Sequence, residues 1–124
     1  MENNKIELLQ EDLEMGKYIY SILKSQPTIL MSWGFNSPVV IKQGLRFKVN
    51  GFKHNGYIEV RYNEGLDLFD IFLINDDNTL KDSLVGIYFD ELIDTIDEYV
   101  ERVDNYTERV NQQYNIITNE QEII

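Results

Sequence analysis

The sequence predicts an α+β domain: a mainly antiparallel sheet of five to six strands, flanked by an N-terminal helix and a long C-terminal helix. The element order is α-β-β-β-β-β-β-α. Three observations carry this. Apolar residues recur at helical spacing near both ends, at Ile6, Leu9, Leu13, Tyr20 and Leu23, and again at Leu92, Ile93, Ile96, Tyr99 and Val100. Between these stretches the period falls to two, as where Leu45, Phe47 and Val49 alternate with Arg46, Lys48 and Asn50. Short breaks rich in Gly and Asn separate the alternating runs, as hairpin turns do. With 124 residues, 43% of them apolar, the chain can bury one real core. We read residues 1–124 as a single domain, with 116–124 as a frayed tail.

The first helix is expected over residues 6–24. Asn3 or Asn4 caps its start and Gln26-Pro27 ends it. Gly16 is its weak point, where it bends or breaks. Thr28 to Phe35 is apolar enough for a buried strand, with Trp33 in the core rather than anchoring a partner. Asn36-Ser37-Pro38 is a turn, Val39 to Lys42 a short strand, and Gln43-Gly44 a second turn. The strand from Leu45 continues past Gly51, where a bulge returns Phe52 to the core side. Asn55-Gly56 is the hairpin turn. Ile58, Val60 and Tyr62 then face inward, with Glu59 and Arg61 outside. Leu68 to Ile74 is apolar on both faces and reads as a central strand, its outer side covered, as a dimer would do. Asn75 to Asn78 turn, and residues 84–88 form the last strand. Asp90 is the expected N-cap of the long helix. Residues 90–114 as one helix would span about 37 Å, whereas a six-residue strand spans about 20 Å. The distal end therefore overshoots the sheet. Its narrow seam, Val110, Tyr114 and Ile117, is a candidate for self-association.

Charge is sorted along the chain. The net charge is −11, yet residues 17–63 hold seven Lys or Arg against one acid. An acidic protein is repelled by nucleic acid and anionic lipid, which argues against direct nucleic-acid binding. There is no cysteine, so disulfides and thiolate chemistry are excluded. No run approaches the roughly 18 apolar residues of a membrane helix. Residues 1–5 show no leader pattern, and the expected location is cytoplasmic.

Six carboxylates, Asp90, Asp94, Asp97, Glu101, Asp104 and Glu108, recur at spacings of three and four. At about 100° per residue they form one stripe on the long helix. Like charges at that spacing repel by a few tenths of a kcal/mol per pair. The stripe is a solvated face unless something basic answers it. Arg46, Lys48 and Arg61 are expected on the outer sheet face, with Lys53 near the turn and Tyr57 beside them. Cross-strand pairing with Glu59, Asp67 or Asp70 is the ordinary explanation of such a face. Binding of single strands is the functional one.

Other chemistry is thin. His54, the only histidine, sits beside the expected turn and has no His or Cys companion as a metal ligand. The cluster Asp76, Asp77, Asn78 and Asp82 lacks the central Gly and final Glu of a calcium loop and reads as an Asx-rich turn. No motif singles out a carboxylate pair among 22 acids. No Gly-rich phosphate loop precedes a helix. We expect no catalytic residues, no metal and no cofactor. The sequence-level expectation is a non-enzymatic interaction or regulatory module with a basic protein partner or a second copy of itself. The alternative is an acidic mimic of nucleic acid. Carboxylates about 5 Å apart along a helix approach phosphate spacing, a device of small anti-restriction and anti-CRISPR proteins of phages and mobile elements.

Overall fold

The computed structural model describes residues 7–102. Helix α1 (Gln10–Lys24) and the short helix α2 (Pro27–Ser32) precede five strands: β1 (Asn36–Ile41), β2 (Gly44–Asn50), β3 (Asn55–Asn63), β4 (Leu68–Asn75) and β5 (Leu80–Ile87). A 3-10 turn over Phe89–Glu91 leads into α3 (Leu92–Val100). The sheet is an antiparallel meander in the order β1-β2-β3-β4-β5. Each strand pairs with its chain neighbour because each connection is short enough for a hairpin.

Register sets the two faces. Leu45 lies opposite Val60, which lies opposite Ile71; Phe47 lies opposite Ile58, which lies opposite Leu73. These side chains point to one face and are buried there with Ile19 and Leu23 of α1, Leu30, Trp33, and Leu92, Ile96 and Val100 of α3. The period-two reading of β2 and β3 holds at these positions, and Trp33 is core.

Several expectations are corrected. Thr28 to Phe35 is not a strand. Pro27 occupies the first turn of α2, where its missing N–H costs nothing. Leu30 and Trp33 are buried while Met31 is exposed, a helical rather than an alternating pattern. The sheet therefore has five strands. Asn36, Ser37 and Pro38 lie inside β1, where the register breaks between Asn36 and Val39 and Ser37 takes a positive φ of 57°. Gly16 does not break α1. It lets the helix approach β1 and β2, since a Cβ there would sit 2.7 Å from Val40 Cγ2 and 3.0 Å from the Gly44 carbonyl. The helix starts at Gln10, and the proposed caps Asn3 and Asn4 lie outside the described residues. The central strand is β3, with β4 beside it. β5 begins at Leu80 rather than at 84 because Asn75 and Thr79 close a tight turn, Asn75 N donating to Thr79 O at 2.8 Å.

The β2–β3 connection is the largest revision. Asn50 pairs with Asn55, so Gly51–His54 form the loop and Asn55-Gly56 begin β3. Phe52 is 57% exposed and not in the core. The loop is placed by α3. Lys53 N donates to Val100 O at 2.7 Å, Lys53 Nζ donates to Glu98 O, and Phe52 N donates to Glu101 Oε1 at 3.0 Å. The two bonds from Lys53 satisfy orphan carbonyls of the helix end, and the third holds the Glu101 carboxylate. Helix α3 accordingly stops at Val100, and Glu101 leaves helical geometry at φ −123°. The single long helix through residue 114 is not observed. Asp104, Glu108 and the seam Val110, Tyr114 and Ile117 lie outside the described residues. Asp90 sits in the 3-10 turn rather than at an N-cap.

A Cβ at position 51 would lie 2.5 Å from Val100 O, a backbone atom that cannot yield without moving α3. Gly51→Ala should lower the unfolding free energy by about 1–3 kcal/mol in urea denaturation, more than an ordinary loop substitution.

Candidate functional site

The basic face exists, but its charges are already answered. Arg46, Tyr57, Glu59 and Arg61 project to the side of the sheet away from the helices. Arg46 lies opposite Glu59, and Lys48 lies opposite Tyr57. Glu59 is buried and receives both guanidiniums. Arg46 Nη1 donates to its Oε2 at 2.8 Å, and Arg61 Nε donates to its Oε1 at 3.0 Å. Arg46 also donates to Asn78 Oδ1 at 2.9 Å and stacks over Tyr57 at 4.1 Å. Arg61 covers Phe72 at 4.7 Å, and Lys48 lies 4.0 Å from Asp76. Cross-strand pairing thus accounts for this face. Of the outer apolar residues of β4, Ile74 is buried within the single chain, and Phe72 is half-buried beneath Arg61. The reason for invoking a dimer there is gone. Lys53 does not belong to this face; its ammonium caps the carbonyl end of α3, where a cation is favoured.

The acidic stripe divides. Asp97 turns inward, its side chain only 16% exposed, and accepts Trp33 Nε1 at 2.8 Å and Arg102 Nη2 at 3.1 Å. Glu101 is bonded to the Phe52 N–H. Asp90 is exposed, and the Asp94 side chain is 78% exposed, with Arg102 at a distant 3.9 Å. Two of the four described carboxylates are therefore structural.

His54 is not an exposed turn residue. It is 1% exposed, with Nε2 3.2 Å from Tyr57 O and Nδ1 3.5 Å from Lys81 Nζ. A neutral ring with its proton on Nε2 would donate to Tyr57 O and accept from the ammonium at Nδ1. Burial lowers its pKa, and Lys81 adds to that. Asp12 was not anticipated. It is buried, accepts from Leu9 N at 2.9 Å and Gln43 N at 2.8 Å, and so ties the start of α1 to the β1–β2 turn. These two backbone bonds hold its carboxyl below the usual range. The only clue was an acid in the first turn of a helix, which is common. Asp77 accepts from Thr79, as an Asx turn does. Among the described residues no group of three or more His, Asp or Glu is arranged to hold a metal ion. No described helix is long and apolar enough to cross a membrane.

An open concavity away from this face lies along α1. Tyr18, Ser21 and Ile22 of α1 face Phe89, Asp90, Ile93 and Asp94 across a groove of about 500 Å³. Tyr18 and Phe89 are 45% and 54% exposed. Beyond Tyr18 a second hollow of about 420 Å³ continues beside Glu11, Glu14, Tyr62 and Glu64. Sequence reasoning missed this groove. It placed Asp90 and Asp94 on the acidic stripe but had no means of setting them opposite Tyr18. A third hollow of about 680 Å³ lies on the outer sheet face and contains Glu59, Asp70 and Arg61. Two of its three acids are engaged, Glu59 by the two arginines and Asp70 by the Gly86 N–H at 3.2 Å. Set beside family models, curated proteins and solved structures, the chain matches none of them.

Two outcomes follow from these bonds. Asp97→Ala leaves a buried indole N–H without its acceptor and should cost about 1–3 kcal/mol in chemical denaturation. Asp94→Ala should stay within about 0.5 kcal/mol. For His54, the folded pKa lies below the unfolded one. Between the two values the unfolded chain binds more protons, so stability is complete above about pH 6.5 and falls as pH drops toward the folded pKa. His54→Gln should flatten that slope in stability measurements between pH 7 and 5. The acid loss below pH 4, to which Asp12 contributes, should remain.

Proposed function

We propose that this chain is a non-enzymatic protein-interaction module whose partner docks along the α1–α3 groove. One observation carries the reading. Two large aromatic side chains, Tyr18 and Phe89, stand half-exposed over an apolar floor of Ile22 and Ile93. Exposed aromatics beside a groove are the anchors that interfaces favour. The groups best suited to proton transfer support the non-enzymatic half: His54, Glu59, Asp70 and Asp97 each have committed partners. The mimic reading has less support, since it needs a continuous stripe and Asp97 and Glu101 face other duties.

Self-association is the second reading. Leu80 and Val85 are exposed on β5, which pairs on one side only among the described residues. Against it, β5 carries two register breaks and Lys81, features that blunt an edge against pairing.

A photo-crosslinking residue at position 89, and separately at 85, tests both readings in cells that make the protein. The expected result is one discrete adduct from position 89 and none from 85. No adduct at 89 would sink the docking reading. A product of twice the chain's mass from 85 would favour the second copy.

A further inference from the structure

We infer that the groove along α1 takes a basic amphipathic segment of another protein, its apolar side chains on Ile22 and Phe89 and its Lys or Arg side chains on the rims; this rests on the interaction reading above. Charge complementarity along this flank of α1 supports it. The two hollows share Tyr18, so they form one track on one side of α1. Their rims carry five carboxylates: Glu11, Glu14, Glu64, Asp90 and Asp94. Among the described residues no Lys or Arg lines either hollow. From Glu11 to Gln26 the track runs about 22 Å, the length of a helix of roughly 15 residues. An apolar floor between acidic rims is the complement of a helix with an apolar stripe and basic flanks.

A second copy fits poorly. Among the described residues, Arg46 and Arg61 hold Glu59, Lys53 caps α3, Arg102 holds Asp97, and Lys81 donates to the Lys53 carbonyl. Five of the nine described Lys and Arg are thus engaged within the chain and not offered as a basic strip. Nucleic acid is excluded by the sign of the rims.

The test uses the full chain labelled with nitrogen-15 and two synthetic 15-residue peptides with the same leucine pattern, one with lysine at its polar positions and one with glutamate. The lysine peptide should shift the amide signals of Tyr18, Ile22, Phe89 and Asp94, and the glutamate peptide should shift none. Asp90→Asn with Asp94→Asn should weaken binding about tenfold. Asp76→Asn with Glu98→Gln removes the same charge elsewhere and should change it less than twofold. Equal weakening by both pairs would mean mere attraction to net charge and would overturn the inference. So would equal binding of the two peptides, or shifts scattered over the surface. Thermal melts of each variant exclude a folding defect. If the residue-89 crosslink captures a partner while neither peptide binds, the interaction reading stands and the basic-partner inference fails.

Discussion

The carbonyl end of α3 must be satisfied, and the β2–β3 loop satisfies it. A helix leaves its last carbonyls without intrahelical donors, and burying them unpaired costs free energy. Lys53 supplies both a backbone N–H to Val100 and an ammonium to Glu98. Gly51 lets the loop come that close. From this one docking much else follows. The loop ends the helix, so Arg102 folds back onto Asp97. Asp97 is then held against the Trp33 indole, joining α3 to the segment after α2. His54, at the far end of the same loop, is drawn under Lys81, whose ammonium also takes the Lys53 carbonyl.

The alternating strands were legible because burial on one face imposes a period of two. Leu45, Phe47, Val49, Ile58 and Val60 are buried, and Arg46 and Arg61 point the other way. What misled was local chemistry overruled by distant contacts. Asn55-Gly56 has the right residues for a two-residue turn, yet the turn falls four residues earlier because α3 needs donors there. Gly56 keeps a role: at φ 151° inside β3, its missing Cβ avoids Ile74 O. The run from Thr28 to Phe35 was too short for its period to separate strand from helix. Pro27 ends one helix and begins the next, and only the first use was read from the sequence.

The candidate site was less legible than the fold. The acids and the cations were found as residues, and the outer face carries its cations as expected. Which of them remain open to a partner depends on pairings between elements distant in sequence. Arg46 meets Glu59 across one hairpin, but Trp33 meets Asp97 across 64 positions. A stripe drawn on an isolated helix counts carboxylates equally; a packed helix does not, because those facing the core are taken by donors. Tyr18 gave no signal at all, since one tyrosine at the margin of an amphipathic helix is ordinary.

The same pairings decide where the net charge of −11 is felt. Four of the seven cations of the basic middle, Arg46, Lys48, Lys53 and Arg61, lie on β2, β3 and their loop, and they meet Glu59, Asp76 and the end of α3. On the flank of α1, by contrast, carboxylates gather with no lining cation among the described residues. Exposed charges act over about 8 Å at physiological ionic strength, so the proposed basic partner would be drawn to this flank without its register being fixed. Register has to come from shape. Tyr18 and Phe89 stand on opposite walls over Ile22 and Ile93, and an apolar side chain entering between them loses water on both sides at once. For the proposed partner, charge would set the encounter and the aromatic walls the position. A partner with only one of these properties gains only one of the two contributions.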